Sequence, residues 1–156
     1  MLVVVIVVHG WCLSRVSKLF ATRFALYTPL TPRWRVSLLM STTVALLVVI
    51  HLFETFLWTL PIWRLGMIPN LRNAYYYVLE AYTTLGEGKV ALPNEWRLAG
   101  PVIAISGLFT FGWTGSVLVY VMNQIGSLHS ESSREAARIK AGRTADDVAQ
   151  LQRNEA

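Results

Sequence analysis

The stretch from Leu98 to Met122 constrains this chain more than any other: it holds 25 residues and not one charge. A helix needs roughly 20 apolar residues to cross the hydrocarbon of a bilayer, so this run is long enough to span with some tilt. A second run, Val36 to Leu60, is also 25 residues long and carries only His51 and Glu54 as ionisable groups. Composition agrees, with 54% hydrophobic and 15% charged residues, where a soluble domain carries about a quarter charged. These runs put the chain in the membrane class and make an all-α fold the expectation.

The N-terminal run, Leu2 to Leu13, is shorter, and at about 1.5 Å per residue it would reach only part of the way across a bilayer. It extends if Arg15 and Lys18 snorkel to the interface. Its charges follow the apolar residues and no small-residue cleavage site is evident, which argues against a signal peptide. The reading is a hydrophobic helix over 1–25, a basic cytoplasmic loop over 26–35, an outer helix over 36–60, and a second long helix over 97–123. A polar tail follows over 124–156.

Between Ser14 and Arg35 lie five basic residues and no acid, whereas the tail from Gln124 carries five of each sign. A short, purely basic segment beside membrane helices reads as cytoplasmic, which puts the N-terminus outside and the tail inside a plasma or inner membrane. The loop Tyr27 to Pro32 separates the first two helices, and Pro61 and Pro69 punctuate the exit of the second. The tail reads as one amphipathic helix from Ser130 to Leu151, interrupted near Gly142. It is too short for a folded sensor domain.

The segment between the long runs is the most informative. Asn73 to Thr83 is aromatic-rich and long enough for a helix of roughly 17 Å, about half a bilayer. It leads into Thr83-Thr84-Leu85-Gly86-Glu87-Gly88, with glycines at alternate positions. A half-length helix followed by a glycine-containing strand cannot face lipid; its carbonyls must be buried in protein or line a water-filled path. Alternating glycines permit backbone angles that turn successive carbonyls to one side, where four copies around an axis replace the hydration shell of a cation.

At these residues the sequence resembles the two-transmembrane potassium channel family, particularly its small bacterial members, over about His51 to Met122. Thr83, Thr84, Leu85, Gly86 and Gly88 fit the family filter pattern, and Leu92-Pro93 and Trp96-Arg97 are similar to the stretch that leads from filter to last helix in the bacterial members. The resemblance implies a homotetramer in which 83–88 is the filter, 73–83 the pore helix and 97–123 the pore-lining inner helix. It departs at Glu87, where the family has tyrosine, and at Lys89, where it has aspartate. Channels with an acid at that position, such as the non-selective bacterial sodium–potassium channel and the cyclic-nucleotide-gated channels, discriminate poorly between the two ions. The expected permeant ions are therefore potassium and other monovalent cations such as sodium, with calcium attracted to the outer mouth. Strict potassium selectivity and a non-conducting subunit with the same pore fold are the alternatives.

Glu87 either contributes to an acidic ring or turns aside to pair with Lys89. Glu80 matches a family position that braces the filter, with Lys89 as its expected partner and Tyr76 among the supporting aromatics. Gly107 and Gly112 are candidates for a gating hinge or for close helix packing. His51 and Glu54 share a helical face and form an intramembrane polar pair. The expected role of that pair is a brace against the pore helix or against Arg64 and Arg72, with pH sensing or metal ligation as rivals. No nucleophile–base pair, metal cluster or nucleotide loop points to an enzyme, and no cofactor, nucleic acid or small-molecule ligand is expected. The expected partners are membrane lipid and further copies of the chain.

Overall fold

A computed structural model of the chain describes residues 1–28 and 31–154, without the side chains of residues 129 and 144–154. Every regular element in that range is helical. Helix α1 runs Leu2–Phe24, α2 Arg33–Arg64, α3 Leu71–Tyr82 and α4 Ala99–Asn154, with a 3-10 turn at Asn94–Trp96 before α4. The buried stripe of α1 is Val5, His9, Leu13, Val16 and Phe20, spaced at three and four residues along one face.

Helices α1, α2 and α4 are long and apolar enough to cross a membrane. The 23 residues of α1 rise about 34 Å, enough for the hydrocarbon even though the uncharged run alone is not. Their outward faces carry Val3, Val7, Leu38, Val48, Phe53 and Leu108, all exposed. A water-soluble monomer does not present so continuous an apolar surface. The chain therefore reads as a membrane protein.

Helix α2 does not stop at Pro61. Pro61 lies inside its last turn, where the missing N–H costs a single bond, and the helix runs on to Arg64, with Gly66 just past its cap. Gly66 adopts φ 70° and its N–H bonds the Trp63 carbonyl at 3.0 Å, while the Met67 N–H bonds the Ile62 carbonyl at 3.1 Å. That pair of bonds satisfies the otherwise orphaned carbonyls of the helix end. Helix α3 opens on Asn70, whose side-chain oxygen accepts from the Asn73 N–H at 3.1 Å. With 12 residues it is about 18 Å long, close to the sequence expectation.

Helix α4 departs from expectation in the other direction. The backbone continues as one helix from the apolar run into the tail, through Gly142, with no interruption. One glycine costs a helix only about 1 kcal/mol, and Asp146 and Asp147 follow Arg143 at the three- and four-residue spacings at which opposite charges support a helix. In the loop before α2, residues 29 and 30 lie outside the described range.

Helix α3 is wedged between α2 and α4, and α1 lies against α2 and α4 on the other side. One cluster of buried residues, including Trp58, Ile62, Ala74, Val78, Tyr82 and Ile103, joins α2, α3 and α4, and Val5 brings α1 to it. A second, of Leu13, Val16, Leu47 and Ile50, fastens α1 to α2. The N-terminal helix is thus packed into the bundle.

Candidate functional site: an exposed backbone segment and a closed polar cluster

Helix α3 delivers the chain to residues 83–88. Its end is tied off by the Thr83 hydroxyl, which donates to the Leu79 carbonyl at 2.7 Å, and by the Leu85 N–H, which donates to the Glu80 carbonyl at 2.9 Å. From there the sign of φ alternates. Thr84 stands at 59°, Gly86 at 62° and Gly88 at 73°, while Leu85 and Glu87 between them are negative. Thr84 is the sole non-glycine residue with positive φ among the described residues, a conformation that costs an L-residue about 1–2 kcal/mol. The segment 83–88 is exposed throughout, with Leu85 at 64%.

Glu87 is turned to Lys89, not left free. The Lys89 ammonium lies 2.7 Å from Glu87 Oε2, and the Tyr76 hydroxyl donates to the same oxygen at 2.8 Å. The Lys89 contact first, then the Tyr76 bond, holds the Glu87 carboxyl below its ordinary range, and Glu87 in turn raises Lys89. The expected ion pair between Glu80 and Lys89 is not formed, because the nearer Glu87 takes the ammonium. Glu80 is buried instead, lining a cleft behind Thr84, Gly86 and Gly88, and its Oε1 has no hydrogen-bond partner among the described residues.

Gly107 sits where α4 crosses the end of α3. A Cβ there would collide with the Tyr82 carbonyl oxygen, so close helix packing alone requires glycine at this position. Gly112 has open space around it within the chain. The helix is unbroken at both.

His51 and Glu54 belong to a larger group than their spacing announces. His9 Nδ1 lies 2.6 Å from Glu54 Oε1, and the Tyr82 hydroxyl donates to Glu54 Oε2 at 2.6 Å. His51 Nδ1 is 2.9 Å from the Tyr82 hydroxyl and its Nε2 is 3.0 Å from Thr114 Oγ1. Thr114 Oγ1 also lies 3.3 Å from His9 Nε2. Thr110 touches the Tyr82 hydroxyl at 2.6 Å, and Trp58 Nε1 donates to Ser106 at 3.2 Å beside it. All four long helices contribute. His9, Glu54, Thr110 and Ser106 have no exposed surface at all.

The pair thus braces α3 through Tyr82, while Arg64 and Arg72 take no part. Arg64 stacks on Trp63 instead. Atoms of His9, His51 and Glu54 lie within 4.8 Å of one another, a spacing compatible with a metal ion. Each atom already has a hydrogen-bond partner, so an ion would have to break the His9–Glu54 and Tyr82–Glu54 bonds to enter.

His9, Tyr82, Thr110 and Thr114 do not stand out by their sequence context. For His9 a signal exists: it is the sole ionisable side chain before Cys12 in the first apolar run, four residues after Val5 and four before Leu13. Intramembrane ionisable groups face protein or water, and this one shares its stripe with the packing residues. Comparison with known proteins adds no relative, since no protein-family model, curated protein or solved structure matches this chain.

Proposed function

We propose that the chain is one subunit of a homotetrameric cation channel of weak monovalent selectivity, oriented with its tail in the cytoplasm. The observation that carries this reading is the alternation of φ along 84–88, in an exposed strand fed by a half-length helix between two spanning ones. Alternation of φ at a glycine-containing segment permits successive carbonyls to turn to one side. Carbonyls left without partners are intolerable in lipid and suit a water-filled axis shared by several copies. In this reading Thr83 to Gly88 contact the permeant potassium or sodium, Glu80 and Tyr76 support them from behind, and α4 lines the inner pore, with Gly112 as its hinge.

The test is passive flux. Purified protein in liposomes should carry potassium and sodium at comparable rates, and its mass in detergent should be that of four chains. A sealed liposome with intact tetramers and no flux would assign the fold to a non-conducting subunit.

One observation favours the stricter alternative. The Tyr76–Glu87 bond ties the strand back to α3, the mechanical job that the resemblance gives to the family tyrosine. A filter held at fixed width by that tie would prefer potassium. Reversal potentials in mixed sodium and potassium separate the two versions.

A further inference from the structure

The contacts among His9, Glu54, Tyr82, His51 and Thr114 form a closed circuit. Passing round it, Glu54 Oε1 meets His9 Nδ1, His9 Nε2 meets Thr114, Thr114 meets His51 Nε2, His51 Nδ1 meets Tyr82, and Tyr82 meets Glu54 Oε2. Five links need five protons. With Glu54 ionised and both imidazoles neutral, His9, His51, Thr114 and Tyr82 supply one each, and the circuit is one short. Thr114 makes the deficit visible: it has a single hydroxyl proton and an imidazole Nε2 on either side. Thr110 Oγ1 also reaches the Ser106 and Gly107 carbonyls at 3.0 and 3.1 Å, so its branch leaves the count unchanged when its single hydroxyl proton is given to Tyr82 and deepens the deficit when it is given to a carbonyl.

We propose that this circuit is a proton-binding site, which holds one proton beyond the usual neutral-pH complement and thereby locks α1 to α2, α3 and α4. The proton resides on the Glu54–His9–His51 set, as imidazolium beside carboxylate or as carboxylic acid beside neutral imidazoles. These states have the same proton count, and in each all five links are filled and the cluster carries no net charge. Loss of that proton leaves one link with two acceptors face to face and a net negative charge inside the bundle, which is expensive. The lock involves residues outside 83–88, so it holds whether or not the pore conducts.

The surroundings offer no competing charge. Helix α1 presents His9 and, one turn on, Cys12; α2 presents His51 and Glu54; α3 presents Tyr82, with Tyr75, two turns away, accepting from Thr55. Helix α4 presents only the hydroxyls of Ser106, Thr110 and Thr114. No lysine, arginine or second carboxylate contributes to the circuit among the described residues.

Two substitutions remove the proton requirement for opposite reasons. Glu54→Gln replaces the carboxylate with a group that donates on one side and accepts on the other, so the fifth proton is built in. Thr114→Val deletes two links, and the three that remain are filled by His9, Tyr82 and His51 with Glu54 ionised.

The experiment uses the full chain in nanodiscs in a His129→Gln background, at about pH 7.5, a unit above a free imidazole. Imidazolium is counted by nitrogen-15 histidine spectra and protonated Glu54 by the infrared carbonyl band that Glu54→Gln removes. The two counts should sum to one proton per chain, and Thr114→Val should reduce the sum to zero. Reversible unfolding in mixed micelles supplies the second readout. The unfolded chain carries two imidazolium protons on His9 and His51 below about pH 6.5 and none above it, whereas the folded circuit holds one throughout, so stability is greatest near that value and declines as pH rises above it. The folding equilibrium of the wild type should fall about tenfold per pH unit relative to Glu54→Gln, until the circuit's own proton leaves. A wild-type sum of zero, or a pH dependence that survives in Thr114→Val, overturns the proposal.

Discussion

Two polar regions of this molecule solve the same problem in opposite ways. The circuit around Glu54 is closed within one chain, with both carboxylate oxygens engaged and four helices contributing. The strand at 84–88 is open: its residues are exposed and its φ angles alternate. Polar groups inside an apolar bundle must find partners or water. The circuit finds them at home, and in the channel reading the segment 84–88 finds them outside the chain. The first is therefore a property of the folded subunit and the second a property of whatever surrounds it. Damage to the circuit should appear as lost stability, whereas damage to the strand should appear as lost transport in a chain that still folds.

The sharpest way to break that distinction is Glu54→Ala. It leaves His9 and Tyr82 without their common acceptor, and removing one member of a buried polar pair costs about 3–5 kcal/mol. Unfolding in mixed micelles should show a loss of that size; a loss under about 1 kcal/mol would mean that the circuit contributes little beyond an ordinary hydrogen bond. Gly107→Ala should come next, at about 1–3 kcal/mol, because the new methyl meets the Tyr82 backbone and not a yielding side chain. Unchanged stability there would release Gly107 from packing and leave hinging as its remaining reason.

The same contrast governs how far each region could be read from the sequence. The long runs declared the spanning helices because twenty-odd apolar residues have few other solutions. The half-length aromatic helix and the alternating glycines were legible because both are local patterns, and α3 lies within two residues of its expected bounds. The circuit was only half legible. His51 and Glu54 share a helical face, but His9 is 45 residues from Glu54 and Thr114 is 63 from His51, and no periodicity links such positions. The continuity of α4 through Gly142 and the pairing of Lys89 with Glu87 in place of Glu80 were settled by local charge neighbours and reach, which spacing alone does not rank.

Gly86→Ala sharpens the other side of the comparison. At φ 62° a side chain strains the backbone by about 1–2 kcal/mol, yet nothing in the chain lies near enough to be displaced. The expected outcome is strongly reduced cation flux with helix content and subunit stability close to wild type. Flux equal to wild type would detach the strand's geometry from transport.

The smallest effect is expected at Lys89→Gln. Glu87 gives its carboxylate to Lys89 and Tyr76, which in the channel reading weakens its attraction for ions at the proposed mouth. Freed of Lys89, it should bind calcium about two- to fivefold more tightly, an exposed pair being worth little in water. The sign with pH is fixed by the lowered Glu87 carboxyl: the pair with Lys89 persists above the ordinary carboxylate range, near pH ~4.3, and is lost as pH falls through the lower folded value. Without Lys89 that value rises, so acid should relieve calcium block at a higher pH in the variant than in the wild type. Raising salt should shrink the difference, since both groups are open to solvent. An identical calcium block in both proteins, at low salt and neutral pH, would place the Glu87 carboxylate off the ion path and favour the reading in which it serves as a tether to Tyr76.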